Sequence, residues 1–413
     1  MVKQNLASKL PPMLAGKDLL SALEMLPEYD ESIRNTDAAT RLIALSDLYR
    51  FYLPSQMSVE IYSRLYLALL QSLQKKQTSL AIRQQMQNYR AIKNQQHSGI
   101  IGGADSFTII GASGIGKSTA ISRAISLITE DRIITLDNPY TTIIPCLTVQ
   151  CPFDSSVKGL LLEILRKVDE RICSNYYENA MRVRATTDML IGSVSQVALN
   201  HIGLLIVDEI QNVVNSKNGK SLVGMLTQLI NNSGISICMV GTPESAVFFE
   251  QAMQLARRSV GIQYGKLEYD EFFQYFCETL FSYQYTKNSS QLTDGITEWL
   301  YEHSAGIISV VVSLVHDAQE IAILTGKESL NLETLNTAYQ QRLSMLHGYI
   351  APFVTGKPLA APKIKKAPAQ KASAKVIVEG EKIISQLATA SKEQNMDMVT
   401  LLRNYMPVVE VSV

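Results

Sequence analysis

The chain has 413 residues, 46% hydrophobic and 18% charged, a globular composition with enough length for a sizeable core. Its 38 basic and 38 acidic side chains cancel, so bulk charge signals no polyanionic partner and any nucleic-acid face must be local. Five scattered cysteines (Cys146, Cys151, Cys173, Cys238 and Cys277) form no C-x-x-C pair and have no histidine at zinc spacing, which argues against a metal knuckle or disulfide scaffold and for thiols in a reducing cytoplasm. The N-terminus lacks a signal-peptide apolar stretch, and the apolar run VVVSLV is far too short to span a bilayer, so no membrane role is expected.

Residues 1–100 read as a polar, mostly helical region. SVEIYSRLYLALLQSL repeats apolar residues at Ile61, Leu65, Leu69 and Leu73, a helical stripe. The basic, glutamine-rich KKQTSLAIRQQMQNYRAIKNQQ reads as a solvated or partner-touching helix before glycines break the pattern. Residues 101–267 alternate strands and helices. SFTIIGA, TIIPCLTVQC, GLLIVDEI and ISICMVGT are strand candidates. STAISRAISLI, SVKGLLLEILRKVDERI and SLVGMLTQLINNS are the helices between them. Apolar strands separated by helices imply an α/β fold with a parallel sheet covered on both faces. Residues 268–345 show no strand signal and read as four helices. From 346 to 413 the composition turns to Pro, Ala and Lys, a flexible basic linker, followed by segments that end in PVVEVSV, able to add to a partner as an edge strand.

Gly111-Ala112-Ser113-Gly114-Ile115-Gly116-Lys117-Ser118, followed by Thr119, fits G-x-x-x-x-G-K-[ST] between a strand and a helix. Glycines let backbone N–H groups converge on phosphate oxygens, and the helix start turns its positive end toward them. Lys117 is placed to neutralise β- and γ-phosphate charge and Ser118 to ligate Mg²⁺, so ATP and Mg²⁺ are the expected cofactors. The apolar strand ending at Asp208-Glu209 brings one carboxylate to the metal and a second to the attacking water. Thr242, ending the next strand, is placed to sense the γ-phosphate. Gln150 is either an ordinary strand-end amide or the group that holds Glu209 at rest. Arg257 and Arg258 are either a surface basic pair or a source of one arginine acting on a neighbouring subunit's nucleotide.

The residues GASGIGKST, VQCPFDSSVKGLLLEIL, LLIVDEIQNV, MVGTPES and ARRSVG together resemble the AAA+ ATPases, and more narrowly the TniB/TnsC group, the regulator ATPases of Tn7-like transposons. The resemblance covers roughly residues 105–340. It implies a P-loop AAA+ sheet with N-terminal helices, a small helical lid and a C-terminal tail. It further implies an ATP-dependent homo-oligomeric ring or filament around double-stranded DNA, linking a target-selection protein to a transposase, with hydrolysis driving disassembly. It places Lys158 at the DNA backbone. The segment SNYYENAMRVRATTD, read as a loop, offers Arg182, Arg184, Thr186 and Thr187 as a second contact, side chains that meet phosphates without reading sequence. One departure is visible: Gly306-Ile307-Ile308-Ser309 carries no lid arginine. A replication initiator or helicase loader, and a signalling NTPase that never touches DNA, are the alternatives compatible with the same core.

Overall fold

The computed structural model describes residues 6–76, 106–137, 140–213, 219–246 and 259–347. Three N-terminal helices, α1 (Gly16–Leu23), α2 (Ala38–Leu45) and α3 (Gln56–Lys76), precede β1 (Ser106–Gly111) and α4 (Lys117–Thr129). Next come β2 (Ile134–Asp137), β3 (Tyr140–Gln150), α5 (Val157–Ile172), α6 (Tyr176–Arg182) and α7 (Thr187–His201). The core closes with β4 (Ile202–Asp208), α8 (Gly219–Ser233), β5 (Ser236–Gly241) and β6 (Ser259–Tyr264). The lid is α9 (Glu271–Phe281), α10 (Asp294–Ser304), α11 (Ile308–Leu324) and α12 (Leu332–Arg342).

The six strands form one sheet in the order β2-β3-β4-β5-β1-β6. All neighbours are parallel except β2 and β3, which are antiparallel. The expected parallel core is therefore present, with an antiparallel extension at one edge. Alternation along each strand feeds both faces. On β4, Leu205 and Val207 join α5, α7 and α8 on one side, while Leu204 and Ile206 join α3 and α4 on the other. Both sets are fully buried, which is why the strand reads as a continuous apolar run. Two strands carried no such signal. β2 is only four residues long, and β6 is an edge strand in which Gly261 and Gln263 are exposed and Ile262 is buried.

The N-terminal segment is built into both the core and the lid. The α3 stripe of Ile61, Leu65, Leu69 and Leu73 is completely buried against the sheet. Close approach explains Gly203 on β4: a Cβ there would stand 2.6 Å from Leu69 Cδ1 and 2.4 Å from the Pro145 carbonyl. Ser72 Oγ donates to the Gly203 carbonyl, and Lys76 Nζ donates to the Ala198 carbonyl at 2.8 Å, near the end of α7. Upstream, Arg123 of α4 donates to the carbonyls of Ala22, Leu23 and Glu24, which satisfies the last carbonyls of α1. On the lid side, Tyr29 Oη donates to the Gln284 carbonyl and Arg34 to those of Thr286 and Lys287. The polypeptide after Lys76, including the glutamine-rich segment, and the tail from 348 lie outside the described residues. No single described helix is long and apolar enough to cross a membrane.

Arg41 is the deepest of these ties. Its guanidinium, 2% exposed, forms a two-pronged pair with Glu328 at 2.6 and 2.8 Å and donates to the Tyr285 carbonyl. The hydrogen bond from Arg41 holds the Glu328 carboxyl below the usual carboxylate range. A carboxylate depressed in this way adds stability above its unfolded value and loses it as pH falls through the folded one. Glu328→Gln removes the counter-charge of the buried guanidinium and should cost ~3–5 kcal/mol. Chemical denaturation of both proteins at neutral pH checks this, and the difference should shrink as the pH is lowered through the acid range.

Candidate nucleotide site

β1 is buried along its whole length and ends at the glycine loop. Gly114 and Gly116 take φ +82° and +94°, a left-handed backbone that glycine adopts without Cβ strain. Gly116 is the N-cap of α4, and its carbonyl accepts the first helical bond from Ala120 N at 2.9 Å. The loop thus turns a buried strand into a helix whose N-terminus faces a cavity of ≈ 390 Å³. Ser113, Gly114, Gly116, Lys117, Ser118 and Thr119 line that cavity. Gly111, Ala112 and Ile115, also named from the motif, do not. Ile115 is 3% exposed and belongs to the core beneath the loop. Gly111 and Ala112 instead supply carbonyls to Lys117 Nζ, at 2.7 and 2.8 Å. Burial lowers the Lys117 pKa, and the carboxylates of Asp208, Glu209 and Glu244 pull it back up.

The parallel register delivers the acids. Gln150 and Asp208 stand opposite each other at the ends of β3 and β4. Asp208 and Glu209 both line the cavity, as does Thr242 after β5. Thr242 hydrogen-bonds Glu244 and, as its largest effect, holds that carboxyl low. Glu209 adopts φ +58°, unusual for a residue with a Cβ and typical of strained functional positions. Its N–H donates to Asp208 Oδ1 at 2.8 Å, and its Oε2 accepts from Gln211 Nε2. The amide that meets Glu209 is therefore Gln211, from the short turn Ile210–Val213, and Gln150 does not line the cavity. Among the described residues no three His, Cys, Asp or Glu side chains converge as a metal cage. Ser118 and Asp208 in one cavity do fit magnesium, which takes one or two protein oxygens and completes its octahedron with phosphates and water.

The lid closes directly onto the loop. Ser309 N, in the first turn of α11, donates to the Gly114 carbonyl at 3.1 Å, and Ile308, Ser309, Val312 and Ser313 line the cavity. Gly306 has no room for an arginine side chain. A Cβ there would stand 2.1 Å from the Leu267 carbonyl, at the joint between β6 and the lid. The N-terminal segment contributes the wall that the motifs did not reveal: Tyr49, Arg50, Phe51 and Tyr52. Arg50 is largely exposed and paired only loosely with Asp47, at 3.5 Å. Tyr49 packs on His316 of α11, ring centroids 4.4 Å apart. No local pattern marks these residues, because they reach the cavity only through the packing of Leu45, Leu48, Phe51 and Leu53 into the lid core.

The DNA candidates lie apart from the cavity. Lys158 is exposed in the first turn of α5, whose start is capped by Ser156 Oγ accepting from Gly159 N. The segment read as a second loop is partly helical. Arg182 ends α6, Arg184 sits at φ +50° in the link to α7, and both are exposed. Thr186 is the N-cap of α7 and Thr187 its first residue. α5 leaves the carboxyl ends of the strands, and α7, of similar length, ends where β4 begins. Both helices therefore start toward the edge of the sheet that holds the phosphate loop. Arg257 and Arg258 lie outside the described residues.

Residues 102–266 match the family described as Bacterial TniB protein. Over that span the chain is similar to the TniB family. The TniB span takes in all six strands, the phosphate loop, both acids and Thr242, and leaves out the lid and Tyr49–Tyr52. No curated protein matches. Among solved structures, the chain is similar to Drosophila ORC bound to DNA, at 14% identity, covering 98% of this chain and 86% of that one with a TM-score of 0.45. It is also similar to Aeropyrum pernix ORC1 in complex with DNA, at 13% identity and a TM-score of 0.42, over 64% of each chain and so just under two thirds of that protein's length. A Thermotoga maritima RuvB mutant aligns at 10% identity over 66% of this chain and 70% of that one, with a TM-score of 0.35. Overlaps of this extent assign nothing further to this chain.

The contact between loop and lid yields a direct test. In Gly114→Ala the new Cβ would stand 2.4 Å from Ser309 Oγ in a left-handed backbone. Affinity for a fluorescent ATP analogue, read by titration, should fall at least about tenfold, ~1.4 kcal/mol.

Proposed function

We propose that this chain is an ATPase that assembles on duplex DNA and serves as a transposition regulator, with nucleotide state timing the assembly. The observation that carries the reading is the TniB match over a core whose cavity gathers Lys117, Ser118, Asp208, Glu209 and Thr242. In this reading Lys117 exchanges its two carbonyl partners for phosphate oxygens, and the N–H groups of the loop receive the rest of the phosphate charge. Ser118 and Asp208 would hold magnesium, which would supply positive charge against the triphosphate. Glu209 orients and deprotonates the attacking water. Thr242 contacts the γ-phosphate and reports its loss. Arg257 or Arg258 of a neighbouring copy supplies charge to the departing phosphate.

Lys158, Arg182 and Arg184 are exposed cations with no carboxylate partner among the described residues. Together with Thr186 they form a backbone-reading surface for DNA, and the near-zero net charge of the chain makes a local patch necessary. The reading extends to a target-selection protein and a transposase as partners. The segment from 350 to 413, outside the described residues, serves as the tether to the transposase. The working compartment is the cytoplasm.

Electron microscopy with duplex DNA and a slowly hydrolysed ATP analogue should show rings or filaments that Lys117→Ala abolishes. A chain that stays monomeric under those conditions refutes the proposal. Binding should also be indifferent to sequence and weaken steeply with salt. Replacing Lys158 and Arg182 together should flatten the log–log salt slope by roughly two phosphate contacts, measured by anisotropy with ATP binding intact.

A further inference from the structure

The lid brings no charge to the nucleotide cavity. Of its residues on the cavity wall, Ile308 and Val312 are apolar, and Ser309 and Ser313 carry hydroxyls. Close packing keeps it so. Gly306 abuts the Leu267 carbonyl, and Ser309 Oγ would stand 2.4 Å from a Cβ on Gly114. The first turn of α11 therefore rests on the phosphate loop with no space for a long side chain between them. Among the described residues, the charged groups of the cavity wall are Lys117 and Arg50 against Asp208 and Glu209. These cancel, and a nucleotide adds a polyanion. Lys117 is committed to the β- and γ-phosphates at the loop. For the phosphates nearer the base, the remaining cation on the wall is Arg50.

The backbone around Arg50 is held on both sides. Arg50 ends the short 3-10 turn Ser46–Arg50, in which Leu48 is fully buried in the lid core. Tyr49 packs on His316 of α11, and Phe51 meets Phe276 edge to face, ring centroids 5.4 Å apart. One residue further on, Tyr52 exchanges both of its backbone hydrogen bonds with Met25, at 2.9 and 2.7 Å. The Tyr52 ring stands 3.9 Å from where a Cβ on Gly116 would be, beside the start of α4. Arg50 thus sits in a seam fixed to the lid on one side and to the phosphate loop on the other. Its side chain is not fixed. It is 76% exposed and has only Asp47 nearby, at 3.5 Å, a solvated pair that costs little to break.

We propose that Arg50 binds the α- and β-phosphates of the nucleotide held by the same chain, supplying from the N-terminal wall the cation that the lid lacks. The inference rests on the nucleotide-binding reading above and adds a phosphate-binding residue to that site. The guanidinium leaves Asp47 and turns into the cavity, where its planar fork meets two phosphate oxygens at once. Because these phosphates remain after hydrolysis, Arg50 holds the diphosphate as firmly as the triphosphate. Its contact therefore belongs to nucleotide retention and not to sensing of the γ-phosphate.

The test titrates the full chain with fluorescent ADP and with a fluorescent, slowly hydrolysed ATP analogue at several salt concentrations. Arg50→Gln should weaken both by the same factor, roughly tenfold for the loss of one charge-assisted contact, and should flatten the salt dependence of binding. Arg50→Lys should recover part of the affinity, since it keeps the charge but not the fork. The melting temperature without nucleotide should stay at the wild-type value, while the rise produced by ADP should shrink. A merely structural role would lower melting without nucleotide and would not separate Lys from Gln. Unchanged affinities in Arg50→Gln overturn the inference. So does a loss confined to the ATP analogue, which would put the arginine at the γ-phosphate, or a loss with unaltered salt dependence, which would put it at the base. Binding that Lys117→Ala abolishes and Arg50→Gln spares overturns this inference alone. If wild type binds neither nucleotide, the function proposed above falls, and this inference falls with it.

Discussion

Everything at the nucleotide site depends on one backbone constraint. A strand buried on both faces must hand over to a helix within a few residues, and its N–H groups must turn inward as it does so. Gly114 and Gly116 make that possible at positive φ. The carbonyl of Gly114 is then turned outward, where Ser309 N of the lid meets it. The loop that shapes the cavity also meets the lid, so one peptide serves both the cavity and the lid contact.

That contact widens through the N-terminal segment. Arg41 and Arg34 tie the segment to the lid, Arg123 ties it to the helix of the phosphate loop, and Tyr49 to Tyr52 line the cavity between them. The Arg41–Glu328 pair is buried, so its value lies less in net stability than in allowing one arrangement of N-terminal segment and lid. The absence of a lid arginine has a steric reason at Gly306, where the backbone of Leu267 occupies the space a side chain would need. The lid meets the phosphate loop through packing and backbone contacts, and Arg50 and Lys117 both line the cavity between them.

The acid strand shows how a short motif can make two sets of contacts. Asp208 and Glu209 belong to the cavity, while Gln211 and Asn212 belong to the link between the cavity and the loop after β3. Alternation does not produce this arrangement. A left-handed residue at Glu209 followed by a tight turn does, because it points consecutive side chains in opposite directions.

The local pattern of the chain was enough to determine four strands, three of the helices between them, the four helices that follow and the phosphate loop, but not α6 or α7. Strict apolar runs, helical stripes and the spacing of glycine and lysine are properties of neighbours in sequence. It also determined the acids at the end of β4, since a buried strand must deliver its last residues to the edge of the sheet. Tertiary structure alone decided the rest. β2 and β6 are edge strands defined by their partners more than by their own composition. Tyr49 to Tyr52 reach the nucleotide cavity only because residues on either side of them pack into the lid. The partner of Glu209 is Gln211 and not Gln150 because the backbone turns left-handed at Glu209, a choice set by the fit of the turn against β5 and the 151–156 loop. Contacts between segments far apart in sequence, or between neighbours across an unusual dihedral, leave no periodic trace for a sequence to show.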